Sequence, residues 1–166
     1  MKIEDAGFIR RLRKIRALVL DVDGVLTDGG MYYGVQGEVL KKFNTKDGMG
    51  IRLVQEAGLV VAFVTGEETE IAARRAEKLK VRDVYAGVQD KLKALDDFLA
   101  ARGLAYADAA YIGDDLNDLP PMERVNIAIA VADAAPAVLK IAHLVTERRG
   151  GEGAVREVCD AILSVR

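Results

Sequence analysis

Short apolar runs alternate with amphipathic segments along most of this chain. Residues 17–22 and 59–64 are apolar except for Asp21, which is typical of strands buried on both faces of a sheet. Between such runs, apolar side chains recur at helical spacing. The pattern predicts strands at 17–22, 59–64, 83–85, 109–112, 126–131 and 143–145, and helices at 47–56, 68–79, 90–101, from 135, and at 153–163. Strands that alternate with helices predict an α/β fold, in which helices cover both faces of a parallel sheet.

A predicted β-hairpin interrupts this alternation. Residues 31–33 and 39–43 flank Gly34-Val35-Gln36-Gly37, a glycine-rich turn between two short arms. The hairpin comes soon after the first strand, where it would overhang the carboxyl end of that strand. No repeat, low-complexity tract or linker divides the chain, so residues 1–166 are predicted to form one domain.

The composition is that of an ordinary globular protein. Charged residues make up 30% and hydrophobic residues 51% of the chain, and the net charge of −2 gives no electrostatic reason to expect a nucleic-acid partner. The single cysteine, Cys159, excludes an intrachain disulfide framework and a cysteine zinc cluster. The apolar stretch 17–20 is too short to span a membrane before Asp21 interrupts it. We therefore expect a cytoplasmic protein without a membrane partner.

Asp21 and Asp23 form the most informative pair in the sequence. They end the first apolar run and precede Gly24, and chemistry in parallel α/β sheets collects at the carboxyl ends of strands. Side chains two positions apart on an extended backbone share a face, so both carboxylates can reach one small site. The pair suits a metal-assisted nucleophile beside an acid/base. A calcium loop is the alternative, but its fifth and twelfth positions, which need oxygen ligands, hold Val25 and Tyr32.

A second acidic cluster follows the predicted strand 109–112. The segment Gly113-Asp114-Asp115-Leu116-Asn117-Asp118 places four acidic or amide groups within five positions. These groups would repel one another unless a cation lay among them, and a helix N-cap would explain only one or two of them. Hard carboxylate oxygens, with no candidate soft ligands, favour Mg²⁺ over zinc.

Two further polar residues lie where a strand ends or a helix begins. Thr65 follows the second apolar strand, and Gly66 beside it allows an anion to approach the backbone closely. Lys91 lies at the start of the predicted helix 90–101. Taken alone, Thr65 with Gly66 is typical of a turn at the end of a strand, and Lys91 is typical of a solvated surface lysine.

In this order, the aspartate pair, the threonine, the lysine and the acidic cluster resemble the haloacid dehalogenase (HAD) phosphatase superfamily, over nearly the whole chain. The resemblance implies a three-layer, Rossmann-like fold and phosphate monoester hydrolysis. It implies that Asp21 attacks phosphorus and forms an aspartyl-phosphate, while Asp23 protonates the leaving group and then deprotonates water. Thr65 and Lys91 would hold the phosphoryl oxygens. The implied Mg²⁺ ligands are Asp21, the Asp23 carbonyl and Asp114, supported by Asp115 and Asp118.

The sequence leaves no room for the cap domain that many HAD enzymes insert beside the active site. The hairpin and one helix occupy the chain between Asp21 and Thr65, and only a helix and a short strand fit between Thr65 and Lys91. A capless site would expose charged chemistry to water. We therefore expect a neighbouring subunit to close the site, in an obligate homo-oligomer.

Two other segments resemble one capless family, the phosphatases of 3-deoxy-2-keto sugar acids. They are residues 43–48, Phe-Asn-Thr-Lys-Asp-Gly, and the glycine-rich segment 149–157. The family includes enzymes for 3-deoxy-D-manno-octulosonate (KDO) 8-phosphate in lipopolysaccharide biosynthesis, enzymes for the nine-carbon KDN 9-phosphate, and a domain of some sialic-acid activating enzymes. The resemblance implies a homotetramer with a glycine-rich tail near the active site. The implied substrate contacts are Asn44, Thr45, Lys46, Asp47, Gly48, Arg52, Gly66, Glu67, Arg75 and Lys78.

One departure from the family pattern bears on the substrate. Enzymes for KDO 8-phosphate usually carry an arginine after the Thr-Gly pair, whereas this chain has Glu67 there and Lys78 on the following helix. A carboxylate in place of a cation reverses which substrate groups are favoured. Because Glu67 with Lys78 resembles the KDN 9-phosphate branch, the sequence favours the nine-carbon substrate, with KDO 8-phosphate as the alternative. A glutamate at a helix start is also favourable on its own.

Two other classes of protein compete with a phosphatase. A non-catalytic assembly module of this fold would not need both Asp23 and Lys91, and this chain retains both. A phospho-accepting receiver domain also uses aspartate, threonine, lysine and Mg²⁺, but its acidic cluster lies on the first strand and its accepting aspartate comes later. The order in this chain is the reverse, which favours the phosphatase.

Overall fold

The computed structural model describes residues 5–68 and 70–166. Its helices are α1 (Ala6–Lys14), α2 (Thr45–Glu56), α3 (Glu70–Lys78), α4 (Lys91–Arg102), α5 (Leu119–Met122), α6 (Pro136–Ile141) and α7 (Ala154–Ser164). Its strands are β1 (Ala17–Asp21), β2 (Tyr32–Gly34), β3 (Gly37–Leu40), β4 (Val60–Val64), β5 (Asp83–Tyr85), β6 (Ala109–Gly113), β7 (Ile127–Ala130) and β8 (Leu144–Val145). The predicted elements are all present, with ends shifted by no more than a few residues.

A six-stranded parallel sheet forms the centre of the fold, in the order β5-β4-β1-β6-β7-β8. Helix α2 packs against α7, while α4 packs against α5 and α5 against α6. With the right-handed crossovers that parallel strands require, this places α2, α3 and α7 on one face and α4 to α6 on the other. The predicted three-layer α/β architecture is confirmed.

The apolar runs form strands because helices cover them on both sides. Every residue of β1, β6 and β7 is buried, and these strands belong to one hydrophobic core cluster. Strand β1 pairs with β4 on one side and with β6 on the other. The carboxyl ends of the three strands therefore lie side by side, at one edge of the sheet.

Two described helices were not expected from the sequence. Helix α1 lies in a basic segment whose apolar residues are sparse, yet Asp5 caps it by accepting a hydrogen bond from the Phe8 amide, and Leu12 is buried. Helix α5 contains Pro120 and Pro121, which read as helix breakers but are tolerated in a first turn because those amides need no intrahelical partner.

The predicted hairpin is present as an exposed two-stranded ribbon. Strands β2 and β3 pair with each other and not with the central sheet. An antiparallel bridge between Thr27 and Phe43 closes the base of the ribbon. Among the described residues between β1 and α2, the hairpin is the only inserted element. Its exposed apolar side chains are Met31, Tyr32, Tyr33, Val35, Val39 and Leu40.

None of the helices in the described part of the chain has both the length and the apolar character that crossing a membrane would require.

Candidate active site

A cleft of about 230 Å³ opens at the carboxyl ends of β1, β4 and β6. The predicted catalytic residues meet there, although they are far apart in the sequence. The lining residues are Asp21, Asp23, Gly24, Gly29, Thr65, Gly66, Glu67, Lys91, Asp114, Asp115 and Asn117. The fold thus brings the aspartate pair, the threonine, the lysine and the acidic cluster into one site.

Asp21 is the last residue of β1, and its carboxylate is almost fully buried. Its Oδ1 atom accepts a hydrogen bond from the Val22 amide at 2.7 Å and lies 3.0 Å from Lys91 Nζ. Burial and the neighbouring carboxylate of Asp118 raise the pKa of Asp21 well above its ordinary value, against the opposing effect of Lys91. A cation in the cleft would favour the ionised form that a nucleophile requires.

Lys91 is the first residue of α4, and it is a buried group rather than the surface lysine that the isolated position suggests. Its side chain is only 2% exposed, and Nζ lies 3.0 Å from Asp21 Oδ1 and 2.8 Å from Asp118 Oδ1. Burial lowers the pKa of Lys91, but the two carboxylates outweigh it and hold the pKa above its ordinary value. The ammonium group is therefore a fixed positive charge beside the nucleophile.

Asp118 is fully buried and already has a complete set of donors. Its Oδ1 accepts hydrogen bonds from Lys91 Nζ and from the Tyr111 hydroxyl, both at 2.8 Å. Its Oδ2 accepts the backbone amides of Asp114 at 2.9 Å and Asp115 at 3.3 Å. Asp118 therefore orients the lysine and the acidic loop.

Asp114 provides the oxygen that best fits a metal ion. Its Oδ1 is buried, and no described residue gives it a hydrogen bond. Oxygen atoms of Asp21, Asp114 and Asp118 all lie within 4.8 Å of one another. Burial, more than any other cause, raises the pKa of Asp114 to about 6. Three carboxylates at this spacing, two of them buried and one with an oxygen that has no donor, match the oxygen ligands that Mg²⁺ prefers.

The space beside Asp114 exists because residue 24 is a glycine. A Cβ atom on Gly24 would lie 2.0 Å from Asp114 Oδ2, and the backbone there has φ of +83°. Both the close approach and the left-handed backbone require glycine. The glycine that follows the aspartate pair therefore makes room for the acidic loop.

Asp23 is half-buried at the cleft and has a donor on each oxygen. Thr65 Oγ1 donates to Oδ2 at 3.0 Å, and Lys41 Nζ lies 2.5 Å from Oδ1. Lys41 belongs to the segment that leaves the hairpin, and sequence reasoning did not identify it. Burial lowers the pKa of Lys41, but its contacts with Asp23 and Glu38 raise the pKa above the ordinary value overall.

The predicted substrate contacts do not all lie in this cleft. Gly66 and the exposed Glu67 line it. A separate groove of about 560 Å³ between α2 and α3 is lined by Thr45, Gly48, Arg52, Arg75 and Lys78, among others. Lys46 lines a third cavity, with residues of α7. Neither of these two cavities includes a predicted catalytic residue in its lining, and Glu67 and Lys78 line different cavities.

Asn44 and Asp47 make structural contacts instead of lining the cleft. Asn44 caps α2 by accepting the Lys46 amide at 2.9 Å, and its Nδ2 donates to the Gly151 carbonyl at 3.2 Å. Asp47 is buried, and its Oδ1 accepts the Arg156 amide in the first turn of α7 at 2.7 Å. Burial raises the pKa of Asp47. Asn44 therefore fixes the glycine-rich segment before α7, and Asp47 fixes the first turn of α7.

That glycine-rich segment packs behind the loop that follows β1. The Gly151 amide donates to the Val25 carbonyl at 3.0 Å. A Cβ atom on Gly150 would lie 1.6 Å from the Gly24 carbonyl oxygen, so only glycine permits this approach. The segment lies near the active site, as the sequence resemblance implies, and it supports the aspartate loop from behind.

Comparisons with known proteins agree with this geometry. Residues 80–158 match the model of the haloacid dehalogenase-like hydrolase family. The 3-deoxy-D-manno-octulosonate 8-phosphate phosphatase KdsC of Yersinia pestis is 48% identical over 155 residues, which cover 93% of this chain and 83% of the relative.

Two solved structures share the fold closely. The structure of the Yersinia pestis phosphatase superposes with a TM-score of 0.93 at 47% identity, over 96% of this chain and 86% of that one. A 3-deoxy-D-manno-octulosonate 8-phosphate phosphatase from Moraxella catarrhalis, in complex with magnesium ion, phosphate ion and KDO, gives a TM-score of 0.94 at 33% identity, over 98% and 94% of the two chains. With the site geometry, these matches show that the chain belongs to the KDO 8-phosphate phosphatase family of HAD-like hydrolases and is a phosphoric monoester hydrolase.

Proposed function

We propose that this protein hydrolyses KDO 8-phosphate to KDO and phosphate in a Mg²⁺-dependent reaction. The observation that carries the proposal is the single cleft that holds Asp21, Asp23, Lys91 and Asp114. The named relatives support the substrate. The reaction would belong to lipopolysaccharide biosynthesis, and the cytoplasm remains the expected location.

In the first step, a carboxylate oxygen of Asp21 attacks phosphorus. The bond between phosphorus and the sugar oxygen breaks, and Asp23 gives its proton to the departing alkoxide, which leaves as the sugar alcohol. The Lys91 ammonium and the Thr65 hydroxyl contact the phosphoryl oxygens and stabilise their charge. The product of this step is an aspartyl-phosphate on Asp21.

In the second step, Asp23 acts as a base. It takes a proton from a water molecule whose oxygen attacks phosphorus, and the bond between phosphorus and Asp21 breaks. Inorganic phosphate leaves, and Asp21 and the protonated Asp23 are restored. Over the two steps one water is consumed and the enzyme returns to its starting state.

The residues at the cleft fit a divalent cation. Asp21, Asp114 and the carbonyl of Asp23 would hold Mg²⁺, which would reduce the negative charge that the nucleophile meets at the phosphate. The donor-free Asp114 Oδ1 is the specific support for this assignment. Asp115 caps the turn by accepting the Leu116 amide at 2.7 Å, and Asp118 holds the loop.

The eight-carbon substrate replaces the nine-carbon substrate as the favoured assignment. The preference for KDN 9-phosphate depended on Glu67 acting with Lys78, and these residues line different cavities. The nine-carbon substrate gains no support from the named relatives, whereas KDO 8-phosphate does. A comparison of kcat/KM for the two substrates tests the assignment, and a clear preference for KDN 9-phosphate would reverse it.

A second experiment tests the chemistry independently of the substrate. Asp21→Asn should abolish Mg²⁺-dependent phosphate release, because an amide cannot act as the nucleophile. Asp97→Asn, the same change at an exposed carboxylate of α4 that pairs with Lys93, is the matched control and should retain turnover. Unchanged turnover in Asp21→Asn would refute the nucleophile assignment.

We also propose that neighbouring copies of the chain close the cleft, as a homotetramer. The support is the hairpin, whose side chains Tyr33 and Leu40 are 66% and 61% exposed, since exposed apolar patches of this kind mark contact surfaces. Leu40→Asp should then lower the oligomeric state in analytical ultracentrifugation, while Val145→Asp at the edge of the sheet should not. A wild-type protein that sediments only as a monomer at micromolar concentration would contradict the proposal.

A further inference from the structure

Lys41 is a buried cation that links the hairpin to the acid/base residue. Its side chain is 1% exposed, and Nζ lies 2.5 Å from Asp23 Oδ1 and 2.7 Å from Glu38 Oε1. Lysine is rarely buried to this extent unless it is paired. The phosphatase mechanism above does not use Lys41, so the contact needs its own explanation.

The neighbouring lysine shows that the contact is set by the register of the chain. Lys42 is 58% exposed and pairs with Asp28 at 2.9 Å, outside the cleft. Successive side chains on an extended backbone point in opposite directions, so only one of the two lysines can point inward. The bridge between Thr27 and Phe43 fixes which one it is.

Glu38, on β3, holds the amine from the other side. Its side chain is 8% exposed, and it lies three residues before Lys41 in the chain. Apart from the ion pair with Lys41, no hydrogen bond from the described residues reaches either of its carboxylate oxygens. The ammonium group therefore lies between Glu38 and Asp23, and its direction is fixed by both carboxylates.

The position of Asp23 depends on two donors from different parts of the fold. Thr65 holds Oδ2 and Lys41 holds Oδ1. In the proposed reaction, the Thr65 hydroxyl turns to a phosphoryl oxygen, which frees Oδ2 for the proton that Asp23 must carry. Lys41 is then the side chain that keeps the Asp23 carboxylate in place.

We propose that Lys41 is a positioning residue that holds Asp23 for proton transfer. Because Lys41 follows the hairpin in the chain, proton transfer by Asp23 then depends on the position of the hairpin. The inference rests on the proposed phosphatase function. It predicts that removing the ammonium group slows the proton-transfer steps, and so lowers kcat, more than it weakens substrate binding. Misplacement of a catalytic group by about 1 Å can cost on the order of 100-fold in rate.

The test compares two substrates that differ in their need for an acid. An alkyl leaving group, as in KDO 8-phosphate, requires a proton, whereas p-nitrophenolate departs without one. In Lys41→Met, kcat for KDO 8-phosphate should fall about 100-fold, with KM changed less than about 3-fold. With p-nitrophenyl phosphate, the first turnover should stay fast and the later turnovers slow, because hydrolysis of the aspartyl-phosphate still needs Asp23 as a base. A burst of one p-nitrophenol per active site should therefore appear.

Two further variants keep the test interpretable. Lys42→Met removes the adjacent, exposed lysine and should leave both activities unchanged. Lys41→Arg retains a cationic donor and should recover at least a tenth of wild-type kcat without a burst. Circular dichroism and thermal unfolding establish that each variant is folded.

The outcomes separate the two proposals. A wild-type protein without Mg²⁺-dependent turnover would overturn the phosphatase function and the role of Lys41 with it. With an active wild type, the role of Lys41 alone would be refuted if Lys41→Met kept wild-type kcat. It would also be refuted if the variant lost activity equally on both substrates with no burst, since that result indicates a purely structural role.

Discussion

The four hydrogen bonds to Asp118 make a sharp prediction about stability. In Asp118→Asn, the side chain has one acceptor oxygen, so it can serve either the Lys91 and Tyr111 donors or the two backbone amides. The amide nitrogen then faces the remaining pair, and against the Lys91 ammonium or the backbone amides it is a donor that meets donors. The side chain is fully buried, so water cannot replace the lost contacts, and Lys91 loses one of its two carboxylates.

The size of the loss follows from these contacts. Each buried group left unsatisfied costs about 1–3 kcal/mol, and breaking one partner of a buried ion pair costs about 3–5 kcal/mol. Because Asp21 still neutralises Lys91, we expect the lower end of that range, about 3 kcal/mol. For a chain of this length, this corresponds to a fall in Tm of about 6–12 °C.

Urea unfolding followed by circular dichroism measures this difference. The experiment is done with EDTA present, because a bound metal would add stability to the folded state and obscure the result. Asp115→Asn is the matched control: Asp115 is exposed, and asparagine caps a helical turn as well as aspartate does. It should change the free energy of unfolding by less than about 0.5 kcal/mol. A loss below about 1 kcal/mol in Asp118→Asn would refute the reasoning.

Four other predictions test the metal site and the C-terminal contacts. Gly24→Ala should weaken Mg²⁺ binding at least about tenfold in isothermal titration calorimetry, because its Cβ would displace Asp114; wild-type affinity would contradict the close approach. Mg²⁺ affinity should rise with pH through about 6, since Asp114 must be ionised to bind. Without metal, the stability of the folded protein should depend on pH in the opposite direction. The folded state binds the Asp114 proton more tightly than the unfolded state does, so the contribution of Asp114 to the free energy of unfolding falls as the pH rises from the ordinary aspartate pKa to about 6. Asp114→Asn should remove that slope from urea-unfolding data. Asp47→Ala should cost about 1–2 kcal/mol of stability and change KM less than about twofold, because Asp47 caps α7; a large rise in KM would instead support the substrate contact that the sequence predicts.

The strands and the acidic loops were predictable because each is specified locally. A short apolar run such as residues 59–64, ended by Thr65-Gly66, favours a strand buried on both faces, and the cluster at 114–118 has few explanations other than a cation. Lys91 needed the family resemblance, since its own position looks like surface. The resemblance was informative because it joined residues that the sequence keeps far apart.

The residues that sequence analysis missed act through contacts with distant parts of the chain. Tyr111 reads as one more apolar strand residue, and only the folded structure brings its hydroxyl to Asp118. Lys41 and Lys42 are indistinguishable until the hairpin register is known. Asn44 and Asp47 are predicted substrate contacts, and their cap contacts could not be foreseen, because a short polar motif does not separate a ligand contact from a helix cap.

The packing of Gly150 and Gly151 on the loop after β1 has a consequence for the order of folding. The segment that backs the aspartate loop is made more than a hundred residues after the aspartates themselves. Contacts of such long range are slow to form. A nascent chain that already carries every catalytic side chain would therefore still lack an ordered nucleophile loop, so the chemistry should begin only after the glycine-rich segment and α7 have emerged and docked.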